Sequence, residues 1–236
     1  MDPSPPGLKI VLLHGRLDEN EKAAGQMKDL HDLAASHVGS ENVLTPEWYP
    51  DERVIPHLHL LDGRLGRRFW PALHEVAEST RQLPRQPPTH RVKHDLIIIA
   101  YSAGGWIFYD WASRAPHVAK AAVRAAFVIA APWRVVDPDA VMLSSAGRLT
   151  QFRLTPWSDL SPASITDGLG GPLHALISND DLLVVPQNAS GFPAGTSVTV
   201  KPFDELSHRE MASHRAVLEY IDAELGVSLA LPRPEP

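Results

Sequence analysis

Short apolar runs alternate along the chain with longer segments in which apolar residues recur every three or four positions. Four mostly apolar runs occupy residues 8–13, 96–99, 125–130 and 173–177, and Lys9 and His174 are their polar exceptions. The run at 96–99 has no polar residue, which is typical of a strand buried on both faces of a parallel sheet. Two weaker strand signals accompany them. Val43–Thr45 is short, and residues 196–200 alternate polar and branched apolar side chains, as an edge strand does.

Amphipathic helices are predicted between these strands. The segments with helical periodicity are residues 23–38, 65–83, 105–115 and 211–225. Asp18 is the predicted N-cap of the first helix, and Gly39 and Gly226 are the predicted stops of the first and the last. Strand and helix therefore alternate. This predicts an α/β fold with a mostly parallel sheet of about six strands, helices on both faces, and a ligand site at the carboxyl ends of the strands.

The segment 134–171 lacks a clean period and mixes apolar side chains, among them Phe152 and Trp157, with prolines and late glycines. Connections of this length without regular structure are often functional. The segment is therefore interpreted as a small cap or pocket loop, with an irregular crossover packed on the core as the alternative. Residues 1–236 as a whole are expected to form one domain.

Composition narrows the possible partners. The net charge is −6 and no block of Lys or Arg is present, so the chain lacks the cationic stripe that binds nucleic acid. There are no cysteines, which excludes disulfides and thiolate chemistry. No apolar run approaches the roughly 20 residues of a membrane span, and the first residues do not resemble a signal peptide. We expect a cytoplasmic protein that acts on a small molecule.

The strand at 96–99 runs directly into a serine that is surrounded by small residues. Ala100, Ala103 and Gly104 flank Ser102 in the pattern A-x-S-x-G, a variant of the G-x-S-x-G nucleophile elbow. In that elbow a strained turn between strand and helix exposes the serine Oγ, and the flanking positions have room for almost no side chain. The alternative is an ordinary strand-to-helix turn in which Ser102 caps the helix.

Histidines and carboxylates follow other predicted strands. His14 and Gly15 come directly after the first strand, and Asp180 and Asp181 come just after the strand at 173–177. A carboxylate in this place can orient a catalytic imidazole. The structural alternatives are a core histidine at position 14 and an Asx turn formed by Asn179 and Asp180.

His208 lies between the strand at 196–200 and the last helix, where it can serve as a base or simply enter the helix. His57 and His59 have the H-x-H spacing of zinc ligands, but no third ligand stands at a recognisable distance. We therefore interpret them as solvated loop histidines and predict no metal site.

The order Ser102, carboxylate, His208, with a His-Gly loop before them, resembles the α/β-hydrolase superfamily across nearly the whole chain, and within it the small serine esterases and lipases. The chain would begin at the third strand of the usual eight. The stretch 178–186 is similar to the G-x-x-D-x-x-V-P ending of the family's acid strand. That similarity selects Asp181, with Asp180 as competitor because Pro186 comes one residue late.

The resemblance implies acyl transfer to Ser102 with His208 as base, and an oxyanion hole made by the amides of Arg16 and Ala103. It implies no cofactor and a small-molecule ester substrate with an apolar acyl or alcohol group. The predicted pocket residues are His14, Trp106, Trp133, Phe152 and Trp157. A thioesterase, a hydroxynitrile lyase and an inactive hydrolase-like binding module remain as alternatives.

Overall fold

The structure is a computed structural model, and one parallel sheet forms its centre. It describes residues 7–15, 23–45, 96–115, 117–133, 161–182, 184, 186–194 and 196–230. The strands are β1 (Lys9–Leu13), β2 (Val43–Leu44), β3 (Leu96–Tyr101), β4 (Val123–Ile129), β5 (Leu173–Ser178) and β6 (Val198–Phe203). They form a six-stranded sheet in the order β2-β1-β3-β4-β5-β6, and every neighbouring pair is parallel. The predicted fold class is confirmed.

Helices connect the strands as the alternating pattern predicts. They are α1 (Ala23–Gln26), α2 (Lys28–Val38), α3 (Ala103–Arg114), α4 (His117–Lys120), α5 (Pro162–Thr166), α6 (Pro186–Ala189) and α7 (Arg215–Ala230), with short 3-10 turns at Ser40–Asn42 and Glu210–Ala212. None of these helices combines the length and apolarity needed to cross a bilayer.

The two faces of the sheet form two separate apolar cores because neighbouring residues of a strand point in opposite directions. In β3, Ile98 and Ala100 pack with α3 and α5, whereas Ile97, Ile99 and Tyr101 pack with α2 and α7. All six residues of β3 are buried. This two-sided burial explains why the strand reads as a continuous apolar run.

The strand order reverses its direction at β1 and β3. From β1 the chain moves outward to β2 on one side, and the next described strand, β3, lies on the other side of β1. In open parallel sheets ligands bind at such a reversal, because the two following connections leave in opposite directions. Gly15, two residues after β1, and Ser102, directly after β3, lie at this end of the sheet.

Several predicted boundaries differ from the structure by a few residues, and two of these differences have a clear physical reason. Gly226 does not end the last helix, which continues to Ala230. A glycine inside a helix costs only about 1 kcal/mol relative to alanine, and burial of Leu225 and Ser228 on either side of it keeps this turn helical. The sixth strand extends beyond residue 200 through Pro202, which is tolerated because β6 has a neighbour on only one side in the described sheet.

Part of the predicted cap is described. Residues 161–171 contain α5, whose Ile165 is fully buried in the core beside α3. Gly170 donates its N–H to the carbonyl of Lys120, close to the start of β4. This end of the segment therefore packs at the amino end of the sheet, away from Ser102. Residues 134–160 lie outside the described residues, as do Asp18, His57, His59 and the predicted helix 65–83.

A buried histidine in β5 is expected to make stability depend on pH. His174 stacks on Phe127 with ring centroids 4.8 Å apart, and its Nδ1 is hydrogen-bonded to Tyr220 Oη at 2.9 Å. Burial lowers the pKa of His174, partly offset by the charge of Glu224, because desolvation disfavours the imidazolium.

Below the ordinary histidine pKa of about 6.5, His174 is therefore protonated in the unfolded chain but stays largely neutral in the folded protein until the pH falls further. The contribution of neutral His174 to the free energy of unfolding is complete above that pH. It is lost as the pH falls from there through the lower pKa that His174 has in the folded protein. We expect the loss of unfolding free energy between about pH 7.5 and pH 5 to be smaller in His174→Phe than in the natural chain, as measured by urea unfolding. Identical losses in the two proteins would contradict this account.

Candidate active site

Ser102 occupies a strained turn between β3 and α3. Its backbone has φ 51° and ψ −119°, in the region that non-glycine residues rarely adopt. Its N–H donates to the carbonyl of Ile129 on β4 at 2.8 Å, so the turn is tied to the sheet. Although Ser102 stands at the N-cap of α3, its side chain makes no capping hydrogen bond. The alternative of a simple helix-capping serine does not describe this residue.

The small residue two positions after Ser102 is required by the first strand. A Cβ placed on Gly104 would lie 2.2 Å from the carbonyl oxygen of Leu13, closer than any real contact. Only a glycine lets the start of α3 approach the end of β1 this closely. The S-x-G pattern therefore reflects the contact of the serine turn with β1, in addition to its local conformation.

His208 and Asp181 complete a continuous hydrogen-bonded chain with Ser102. His208 Nε2 lies 2.9 Å from Ser102 Oγ, and His208 Nδ1 lies 2.6 Å from Asp181 Oδ2. Since the carboxylate can only accept, Nδ1 carries the proton and Nε2 is left to accept the hydroxyl proton of Ser102. Asp181 Oδ1 accepts the N–H of Val184 at 2.8 Å, which fixes the carboxylate. Along these hydrogen bonds the side chains follow in the order serine, histidine, aspartate, which is the arrangement of a Ser-His-Asp triad.

The neighbouring carboxylate, Asp180, faces a different group. Its Oδ2 accepts the N–H of Glu205 at 2.7 Å. Glu205 has a positive φ of 60°, so this bond holds an unfavourable turn just before His208. Ser178 Oγ donates to the carbonyl of Leu206 in the same loop. Ser178 at the end of β5 and Asp180 just after it thus anchor the loop 204–209 that carries His208, called the histidine loop below, whereas Asp181 binds the imidazole.

The end of β1 lies directly beside the serine turn. A Cβ on Gly15 would lie 3.0 Å from Ser102 Cβ, and Gly15 N–H donates to Gln26 Oε1 at 2.7 Å. His14 is fully buried, and its Nδ1–H donates to the carbonyl of Gly15 at 2.7 Å. Ala103 is the first residue of α3, where backbone N–H groups have no partner within the helix. Arg16 lies outside the described residues.

The predicted pocket residues are only partly described. Trp133 is 6% exposed, stacks on Phe192 at 4.7 Å and donates its Nε1–H to the carbonyl of Ser190. Like His14 it is a packed side chain in this structure, and its contact with a substrate stays a prediction. Trp106 lies in the first turn of α3. Its side chain, and all of Phe152 and Trp157, lie outside the described residues.

Two contacts of the Ser102, His208 and Asp181 group have no signal in the sequence. Tyr101 donates its hydroxyl to the backbone carbonyl of His208 at 2.9 Å, and the Val184 amide binds Asp181. A tyrosine at the end of a buried strand is expected to be a core residue. A backbone amide can belong to almost any residue type, so the sequence does not identify it as a ligand of Asp181.

In the described part of the chain, no group of three or more His, Asp or Glu side chains is placed to hold a metal ion.

No protein-family model matches the sequence, and no curated protein sequence matches it significantly. Solved structures do resemble it. Est1E from Butyrivibrio proteoclasticus superposes with a TM-score of 0.60 at 12% identity, covering 98% of this chain and 91% of that chain. Esterase PE8 gives a TM-score of 0.56 at 15% identity, with 95% and 93% covered.

A third similar structure is MGS-MChE2, an alpha/beta hydrolase enzyme from a sediment metagenome of the Mar Chica lagoon in Morocco. It gives a TM-score of 0.53 at 16% identity, covering 95% of this chain and 91% of that chain. Together with the parallel sheet and its order, these likenesses show that the chain has the α/β-hydrolase fold. Because one fold serves many activities, the chemistry has to be argued from the site.

The two adjacent carboxylates provide a matched pair of substitutions. In Asp181→Asn the amide would donate to His208 Nδ1 and select the wrong imidazole tautomer, so we expect reaction of Ser102 with a fluorophosphonate to slow by about 10⁴-fold. In Asp180→Asn the side-chain oxygen can still accept from Glu205, so we expect less than about a threefold change. Rates are measured by mass spectrometry of the labelled serine. Equal effects of the two substitutions would contradict the distinction between them.

Proposed function

We propose that the protein is a serine hydrolase that cleaves carboxylic esters by way of an acyl-enzyme. The observation that carries the proposal is the hydrogen-bonded chain from Asp181 through His208 to Ser102. A serine hydroxyl is a weak nucleophile at its own pKa and needs an adjacent, oriented base. Here the base is within hydrogen-bond reach, and a buried carboxylate orients it.

The first half-reaction forms the acyl-enzyme. His208 Nε2 takes the proton of Ser102 while Oγ attacks the ester carbonyl, and the carboxylate of Asp181 stabilises the imidazolium that forms. The imidazolium then gives its proton to the oxygen of the leaving alcohol. Asp181 is 2% exposed, which strengthens its interaction with the imidazolium because little water screens it.

The second half-reaction releases the acid. Water donates its proton to His208 Nε2 and attacks the acyl-enzyme carbonyl, and Ser102 Oγ recovers the proton as it leaves. Both tetrahedral intermediates carry a negative oxygen that needs fixed donors. In this proposal the amides of Ala103 and Arg16 supply them. The bond from His14 to the Gly15 carbonyl supports this assignment, because it fixes the planar peptide unit that follows Gly15.

The choice of an ester over other acyl substrates rests on the structures with a similar fold and on how readily the leaving group is expelled. Esterase PE8 is named as an esterase. The alcohol oxygen of an ester is also expelled from a tetrahedral intermediate more readily than the nitrogen of an amide, which must be protonated before it can leave. We propose a small ester with an apolar acyl or alcohol group, as the predicted pocket aromatics favour. A thioester would use the same three side chains, so paired oxyester and thioester substrates with one acyl group distinguish these activities.

Ser102→Ala tests the proposal directly. We expect hydrolysis of p-nitrophenyl esters to fall by at least about 10³-fold, since only binding and oxyanion stabilisation remain without the nucleophile. Ser36→Ala, at an exposed serine of α2, is the matched control and should keep full activity. Thermal unfolding of both variants checks that the fold persists. Full activity of folded Ser102→Ala would refute the assignment.

A further inference from the structure

Tyr101 joins the nucleophile turn to the histidine loop. It is the last residue of β3, stands directly before Ser102 and is 4% exposed. Its hydroxyl donates to the backbone carbonyl of His208 at 2.9 Å, in a buried hydrogen bond between positions 107 residues apart. The two rings also contact each other, with centroids 5.3 Å apart and planes tilted by 34°.

Two other hydrogen bonds to the histidine loop bind residues that precede His208 in the sequence. Asp180 binds the N–H of Glu205, and Ser178 binds the carbonyl of Leu206. Asp181 holds the His208 imidazole at Nδ1. None of these bonds reaches the backbone of His208. The hydrogen bond from Tyr101 does, and it comes from the residue bonded to Ser102.

From this geometry we propose that Tyr101 is a positioning residue for the Ser102–His208 pair. This role rests on the proposed serine hydrolase mechanism, and it adds that the backbone of His208 must be held in place relative to Ser102. Tyr101 and Ser102 share one peptide unit, and the turn that follows has little freedom because Gly104 is pressed against β1. A bond from Tyr101 to the His208 carbonyl therefore sets the position of the imidazole relative to the hydroxyl it must deprotonate.

The expected effect follows from the sensitivity of proton transfer to distance. A misplacement of about 1 Å at a reacting pair can cost about 10²-fold in rate. Without the Tyr101 hydroxyl, the loop is still held by Asp180 and Ser178, so the protein should fold with its base less well placed. The loss should appear in kcat, whereas KM should change little because Tyr101 is buried beneath the turn.

A second buried tyrosine provides the matched control. Tyr109 on α3 is fully buried, and its hydroxyl has no hydrogen-bond partner among the described residues. Tyr101→Phe and Tyr109→Phe each remove one buried phenolic oxygen. Only the first removes a bond to His208. A general effect of deleting a buried hydroxyl would appear in both variants.

The experiment measures kcat and KM for a p-nitrophenyl ester and the rate of fluorophosphonate labelling of Ser102. For Tyr101→Phe we expect kcat and labelling to fall by about 10- to 100-fold, with KM within about twofold of the natural chain. Tyr109→Phe should match the natural chain in all three quantities. A kcat for folded Tyr101→Phe equal to that of Tyr109→Phe would overturn the proposal, even if the melting temperature fell.

A second pair of variants keeps the test decisive if Phe at position 101 does not fold. Tyr101→p-aminophenylalanine retains a hydrogen-bond donor, and Tyr101→p-fluorophenylalanine fills similar space without one. We expect the amino variant to recover most of the rate and the fluoro variant to resemble Tyr101→Phe. Equal rates for the two would refute the proposal. Failure of the hydrolase function itself is recognised separately. In that case the natural chain would neither hydrolyse the ester nor be labelled at Ser102, or Ser102→Ala would keep the full activity.

Discussion

The structure depends on one strained turn, at Ser102, where the buried strand β3 becomes helix α3. A positive φ at a non-glycine residue persists only when the surroundings enforce it. Here β4 holds the Ser102 amide, and β1 contacts the turn through Gly104. The turn therefore exists only in the assembled sheet. Its strain directs the serine side chain away from the helix it would otherwise cap and towards His208.

Parallel strands bring the remaining groups to the same edge. Gly15, Ser102 and Asp181 lie just beyond the carboxyl ends of β1, β3 and β5, and His208 lies in the loop after β6. Residues far apart in sequence meet because every strand in the described sheet runs in one direction. The buried apolar faces on both sides of β3 keep that register, since a slip by one residue would exchange the two cores.

Polar residues at the end of β5 and just after it hold His208 in two ways. Ser178 and Asp180 bind the backbone of the loop before His208, and Asp181 binds its imidazole. The first two bonds fix the backbone of the loop, and the bond from Asp181 fixes the tautomer of the imidazole. The fold alone does not specify hydrolysis. The proposed activity depends on this local set of hydrogen bonds, which holds the side chains in place.

The sequence by itself determined the strand runs and the amphipathic helices of the described residues, and it indicated a turn at Ser102, because burial and backbone strain restrict residue types locally. It left Asp180 and Asp181 as competitors, since two adjacent carboxylates differ only in which way they point. The helix through Gly226 was missed because neighbouring buried residues outweigh a small local cost. The bond from Tyr101 to His208 was decided by tertiary structure alone, because no local pattern relates residues brought together only by the packing of distant strands.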